Sequence, residues 1–175
     1  MRDAYPSMSD SSILHPAVRA ALQSASVQFE AIPCREEWAD TAEFCANYGI
    51  SQDEACNAII VVLKTTPKRY AACLVRADTK LDVNHRVAAE VAFKRLSFAS
   101  FEEAAQISGQ AIGGVTIVGL PGDIPVLIDE RVTERPSVIV GGGNRTSKIR
   151  LDPNELLKLP NARVAAIAVP REAQS

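Results

Sequence analysis

GQAIGGVTIVGLPGDIPVLIDERVTERPSVIVGGG, residues 109–143, holds eight of the chain's nine glycines. Three apolar runs lie among them: VTIVGL (115–120), IPVLID (124–129) and SVIVGGG (137–143). Short β-branched and aliphatic runs bounded by glycine and proline read as strands. Glycine admits backbone angles closed to other residues and lets a ligand approach the main chain with no Cβ in between. The stretch therefore predicts strands joined by sharp turns, with a snug pocket lined by backbone between Gly109 and Gly143.

Upstream, Ala58–Leu63 (AIIVVL) is unbroken and apolar, which suits a central strand buried on both faces. TTPKR turns the chain, and Tyr70–Arg76 returns as the second arm of a hairpin. Pro16 opens a helix carrying Val18 and Leu22. Ser26–Ile32 reads as a strand. Thr41 reads as the N-cap of a helix that Gly49 ends in a left-handed conformation, with Phe44 and Cys45 inward. Asp82 caps a helix running to about Val91, and Ser100 with Glu103 forms a capping box for FEEAAQIS. Downstream, Asp152-Pro153 starts a helix over PNELLKL, and ARVAAIAV (162–169) is a last strand. Helices and strands mix without regular βαβ alternation, so the fold class is α+β with a curved mixed sheet.

The chain has 175 residues, 47% of them hydrophobic, enough for one core. Residues 1–12 are expected to form a flexible tail and 13–172 one domain. Nineteen basic against 21 acidic residues give a net charge of -2, which points away from DNA. No apolar run is long enough to span a bilayer and the N-terminus lacks the apolar stretch of a signal peptide, so a cytoplasmic location and no membrane partner are expected. Cys34, Cys45, Cys56 and Cys73 lack Cys-x-x-Cys spacing and read as reduced, packed thiols. His15 and His85 fit no catalytic or metal-binding grouping, and no metal or cofactor is implied.

In Gly113-Gly114-Val115, exposed N–H groups can hold a carbonyl oxygen as negative charge develops. In Gly141-Gly142-Gly143-Asn144-Arg145 they can hold a phosphate. Both clusters read equally as bulges and tight turns of a bent sheet. Arg145 and Lys148 suit an anion beside the glycines or a solvated pair on an exposed strand, and Lys64 and Lys68 carry the same two readings. Neither cluster is a dinucleotide fingerprint or a Walker loop.

Taken in order, GGVTIVGLPGDIPVLIDERV (113–132) and SVIVGGGNRTSKIRLDPNELLKL (137–159), preceded by DEACNAIIVVL (53–63) and LVRADTKLDVNHRVA (74–88), resemble the YbaK family. These are freestanding relatives of the editing domain inserted in bacterial prolyl-tRNA synthetases. The resemblance covers roughly residues 16–170. It implies a curved, barrel-like mixed sheet surrounded by helices. It also implies hydrolysis in trans of the ester joining a wrongly attached, small amino acid to tRNA(Pro) or a related tRNA.

The implied partners are the acceptor end of an aminoacyl-tRNA and, for delivery, an aminoacyl-tRNA synthetase. Asn57 and backbone donors near Gly114 would orient the attacking water. Gly113, Gly114 and Val115 would form the wall of a sieve that admits small amino acids. Ala58, Gly142 and Gly143 would also lie against substrate, with Arg145 and Lys148 near the terminal nucleotide. The chain departs from the family at Asn57, which stands where relatives carry a functional lysine, and at Ile117, where many carry a proline after the paired glycines. An asparagine donates and accepts hydrogen bonds but supplies no ammonium. The alternative is a non-catalytic binder of aminoacyl-tRNA or of a small ligand on the same fold.

Overall fold

The computed structural model describes residues 10–171. In chain order its elements are α1 (Pro16–Ser24), β1 (Glu30–Pro33), α2 (Thr41–Tyr48), β2 (Cys56–Leu63), β3 (Arg69–Arg76), β4 (Thr79–Leu81), α3 (Ala88–Val91), β5 (Leu96–Phe98), α4 (Phe101–Ser108), β6 (Val126–Asp129), β7 (Val138–Gly141), β8 (Ser147–Leu151), β9 (Ala162–Ala165) and β10 (Ala168–Pro170).

The β2–β3 hairpin is the centre of a five-stranded mixed sheet ordered β5-β2-β3-β6-β9, antiparallel at β5-β2-β3 and parallel at β3-β6-β9. A second, antiparallel sheet runs β1-β8-β7, and β4 pairs with β10 alone. A parallel bridge between Ala55 and Ile139 ties the approach to β2 to β7. The mixed α+β sheet with flanking helices matches expectation, but the sheets of the described residues do not close into a barrel. The largest core cluster gathers Val18 and Leu22 from α1, Ile60 from β2, Leu74 from β3, Ile128 from β6 and Val140 from β7. Leu22 is fully buried, so truncation to alanine would cost about 2–5 kcal/mol.

Local chemistry explains most helix ends. His15 Nδ1 accepts from the Ala17 N–H at 3.2 Å at the start of α1. Gly49 ends α2 at φ 67°. Ser100 accepts from the Glu103 N–H at 3.0 Å, while the Glu103 carboxylate reaches Tyr70 rather than back to the cap. Asp82 caps a turn at Val83–Val87 that leads into α3. Of the expected tail, residues 1–9 lie outside the described residues, whereas Asp10 caps a 3-10 turn at Ser11–Ile13.

Several expectations need correcting. Ser26 has positive φ, so β1 begins only at Glu30. PNELLKL forms a 3-10 rather than an α-helix. ARVAAIAV divides into β9 and β10 because buried Asp129 accepts the Ile167 and Ala168 N–H groups, each at 2.9 Å, and pulls the chain out of the ladder. VTIVGL is no strand. Its main chain instead meets the buried side chain of Gln110, which accepts from Thr116 N–H and donates to Val118 C=O, both at 2.8 Å.

Candidate active site

Three segments meet around a cavity of about 350 Å³: the start of β2 (Cys56, Asn57, Ala58), the Gly113-Gly114-Val115 loop, and the entry to α2 (Ala39–Ala42), with Phe101, Gly141, Asn144 and Lys148 completing the wall. The residues predicted from two distant stretches of sequence, Asn57 with Ala58 and Gly113 to Val115, therefore face one another.

Thr41 was expected to cap α2. It lies one residue inside the helix, and its hydroxyl donates to Asn57 Oδ1 at 2.6 Å. That bond fixes the amide with its oxygen engaged, leaving the two Nδ2 hydrogens as the donors that can act on a ligand. Asp40, at the N-cap position, does not cap either, because its carboxylate is held by Arg145 at 3.2 Å.

The glycine loop is shaped by close packing. A Cβ on Gly114 would come within 2.6 Å of the Asn144 carbonyl carbon and 2.9 Å of its Cα, so this position tolerates no side chain. Gly114 N–H, expected to orient a water, is bonded to Ala111 C=O at 2.9 Å. The neighbouring N–H groups of Gly113 and Val115 carry no hydrogen bond among the described residues, and both residues line the cavity. Arg145 does not line it. Its guanidinium donates to Gly113 C=O at 3.2 Å and to Glu36 C=O at 3.3 Å, bracing the loop from behind.

Gly142 and Gly143 do not face the cavity. Gly142 C=O accepts from His15 N–H at 3.0 Å, and a Cβ on Gly143 would strike Val18 and His15. They let α1 sit against the β7–β8 turn, which is a packing role. Lys148 is inside the cavity wall rather than solvated: its ammonium donates to Ala39 C=O at 2.6 Å and lies 5.3 Å from the Phe44 ring centroid. Burial holds its pKa below the ordinary lysine value, against the opposing pull of Asp40. Cys56 also lines the cavity, but burial pushes its thiol up to about 12, which leaves it protonated and without nucleophilic character. Lys64 and Lys68 lie at the far end of β2, where Lys68 pairs with Glu103.

Sharing Ala58, Phe101, Gly113 and Val115 with this cavity is an apolar pocket of about 350 Å³, walled further by Ile59, Ile60, Phe98, Ala99 and Ala104. Sequence reasoning missed this pocket and the Thr41 bond, since both depend on α4 and α2 folding over β2. No group of three or more His, Cys, Asp and Glu side chains among the described residues is placed to hold a metal ion.

An asparagine amide with its oxygen engaged, a glycine loop with two N–H groups that carry no hydrogen bond among the described residues, and an apolar recess beside them line adjoining cavities. The family model described as "Aminoacyl-tRNA editing domain" matches residues 35–159, a span that contains every cavity-lining residue. The chain belongs to the aminoacyl-tRNA editing domain family. Among solved structures it is similar to a candidate trans-editing enzyme for prolyl-tRNA synthetase, at 26% identity over 89% of this chain and 99% of that one, with a TM-score of 0.76. It shares its fold with a hypothetical protein at 23% identity, over 87% and 99% of the two chains, with a TM-score of 0.77.

Proposed function

We propose that this protein is a trans-acting deacylase that hydrolyses mischarged aminoacyl-tRNA, removing a small apolar amino acid from tRNA(Pro) or a related tRNA. The observation that carries the reading is that the Thr41-held Asn57 amide and the Gly113–Val115 loop, in which the N–H groups of Gly113 and Val115 carry no hydrogen bond among the described residues, line one cavity.

The aminoacyl ester is an activated acyl group, so its hydrolysis calls for positioning and charge stabilisation rather than a protein nucleophile. The ester carbonyl oxygen sits among the Asn57 Nδ2 hydrogens and the two backbone donors. Water adds to the carbonyl carbon, and the negative charge gathers on that oxygen. The intermediate then collapses by breaking the bond to the ribose oxygen, which leaves with a proton derived from the water; the free amino acid is the other product. One donor of this kind is worth about 2.7–4 kcal/mol in such reactions. The amino-acid side chain enters the recess of Ala58, Ile60, Ala99 and Ala104, and the Gly113–Val115 wall limits its size. Lys148, Arg145 and the backbone they brace keep the loop and the α2 entry in place around the ester.

Asn57 in place of a lysine favours a second reading, that of a binder without turnover. Comparing wild type with Asn57→Ala and Asn57→Lys under single-turnover conditions separates the two. Hydrolysis by the wild type that falls at least a hundredfold in Asn57→Ala supports the deacylase. Hydrolysis that is absent in the wild type and appears only in Asn57→Lys supports the binder.

A further inference from the structure

At the end of β2 away from Asn57, five of the chain's 19 basic residues come together: Lys64, Lys68 and Arg69 around the turn from β2 to β3, and Lys94 and Arg95 just ahead of β5. All five are exposed, and neither 63–71 nor 93–98 contains an acidic residue. Strand register brings them together. β3 and β5 flank β2, with Leu63 opposite both Arg69 and Leu96. One residue further on, Lys64 N–H donates to Arg95 C=O at 3.0 Å, and the Arg95 guanidinium donates to Lys64 C=O at 2.8 Å. Lys68 precedes Arg69 and so occupies the matching place on the β3 side.

Like charges set opposite one another across strands destabilise a sheet. Only Lys68 has an acidic partner, Glu103 at 3.4 Å, and an exposed pair of this kind is worth little. The Lys64 ammonium has no partner among the described residues, and the Arg95 guanidinium bonds only main chain. Three cations held in a row against their mutual repulsion point to an anion from outside the chain.

The row has a definite face. Side chains alternate along a strand, so Lys64 stands on the same face of β2 as Val62, Ile60 and Ala58, and Arg95 on the same face of β5 as Ser97 and Ala99. Tyr70, opposite Val62, turns the same way and donates to Glu103 of α4 at 2.8 Å, as Lys68 does two residues earlier. Ala58, Ile60, Ala99 and Ala104 of α4 line the apolar recess. The row therefore lies on the recess face, about 13 Å beyond Ile60 at about 3.3 Å per residue.

We infer that Lys64, Lys68 and Arg95 form a docking row for the sugar-phosphate backbone of an RNA stem. The inference rests on the deacylase reading only for the choice of RNA. A nucleic acid whose acyl end sits in the recess can lie along this face and reach the row. The row is about 23 Å from Asn57 along β2, so only a strand of several nucleotides touches both. Its cations are local, which lets a chain of net charge -2 hold a polyanion.

The test measures binding of an RNA stem-loop with a single-stranded 3' end across a range of salt, for wild type, Lys64→Glu and the double variant Lys64→Gln/Arg95→Gln. Hydrolysis is followed in parallel on aminoacyl-tRNA and on an aminoacylated CCA trinucleotide, which carries no stem. These side chains are exposed, thermal melting checks the fold, and Lys68→Gln is an independent second probe. The logarithmic salt slope for the stem-loop is expected to flatten by about 2 in the double variant, about 1 per cation removed. Stem-loop affinity falls about tenfold or more in Lys64→Glu, and KM for aminoacyl-tRNA rises in step with kcat unchanged. Hydrolysis of the trinucleotide ester stays at the wild-type rate in every variant. No stem-loop binding by the wild type, or the same affinity and salt slope in all variants, would overturn the inference while hydrolysis, and with it the deacylase reading, stands. Polyglutamate that binds the wild type as tightly as the stem-loop would overturn the RNA assignment in favour of an acidic protein partner. Variants that lose hydrolysis of the trinucleotide ester would also overturn it, because the row would then act on the ester site. Stem-loop binding that follows the row, in a wild type that hydrolyses neither ester, would uphold the surface and sink the deacylase reading.

Discussion

Replacing Thr41 with valine removes one hydroxyl while keeping the β-branched shape at the start of α2. In the wild type that hydroxyl donates at 2.6 Å to Asn57 Oδ1 in a half-buried setting. A neutral hydrogen bond of this kind contributes about 1 kcal/mol to stability, which for a chain of this length is about 2–4 °C in melting temperature. The effect on catalysis should be larger, because the amide loses the partner that holds its donor side toward the substrate. Removing a whole donor costs about 100- to 1,000-fold in kcat; an amide that remains but rotates should cost less, roughly 10- to 100-fold. Thr41→Ser restores the hydroxyl and should recover most of the rate. The assay is single-turnover hydrolysis of aminoacyl-tRNA with enzyme in excess, alongside thermal melting. A kcat unchanged in Thr41→Val, or a loss that appears wholly in KM, would refute the positioning role of Thr41.

The remaining predictions concern the loop, the half-buried lysine and the frame. Gly114→Ala should abolish hydrolysis, since its Cβ meets Asn144 backbone at 2.6 Å and the loop must move; Gly49→Ala, with open space but φ 67°, should cost about 1–2 kcal/mol in urea unfolding and leave the rate alone. Because burial depresses the Lys148 pKa, its ammonium is lost at a lower pH than an ordinary lysine's. Affinity for an amide-linked, non-hydrolysable aminoacyl-tRNA should therefore weaken as pH rises through that depressed value, and Lys148→Arg, charged throughout, should lack this alkaline loss. Asp129→Ala should destabilise by about 3–5 kcal/mol in urea unfolding, because the buried carboxylate accepts from the N–H groups of Ile167, Ala168 and Arg131, and Asp129→Asn should cost less.

The elements legible in the sequence were those set by local signals. Pro16 and Gly49 mark helix ends through backbone constraints that act within one turn, and AIIVVL is a strand because an unbroken β-branched run suits a sheet centre. VTIVGL carries the same local signal and is not a strand, because the partner that satisfies its main chain is the amide of Gln110 rather than another strand. Sequence order likewise favoured Gly142 and Gly143 as ligand contacts, whereas their freedom serves the packing of His15 and Val18, over 120 residues away along the chain on the scale of a whole domain. Lys148 reads from the sequence as either an anion contact or a solvated side chain, and its ammonium is instead engaged by the Ala39–Phe44 segment. Thr41 had the right residue type for a cap, but Asn57 across the cavity claims its hydroxyl. In each miss a long-range contact overrode a local preference.

The central claim is that Asn57 and the glycine loop together hydrolyse an aminoacyl ester. It is tested most directly by presenting purified protein with tRNA(Pro) charged separately with alanine, with other small amino acids and with proline, and following loss of the ester in wild type and Asn57→Ala. The expected result is rapid loss of one small amino acid, sparing of proline, and a rate near the spontaneous one in Asn57→Ala. A folded wild-type protein that leaves every ester at the spontaneous rate, or one that hydrolyses them equally well without the Asn57 amide, would contradict the account.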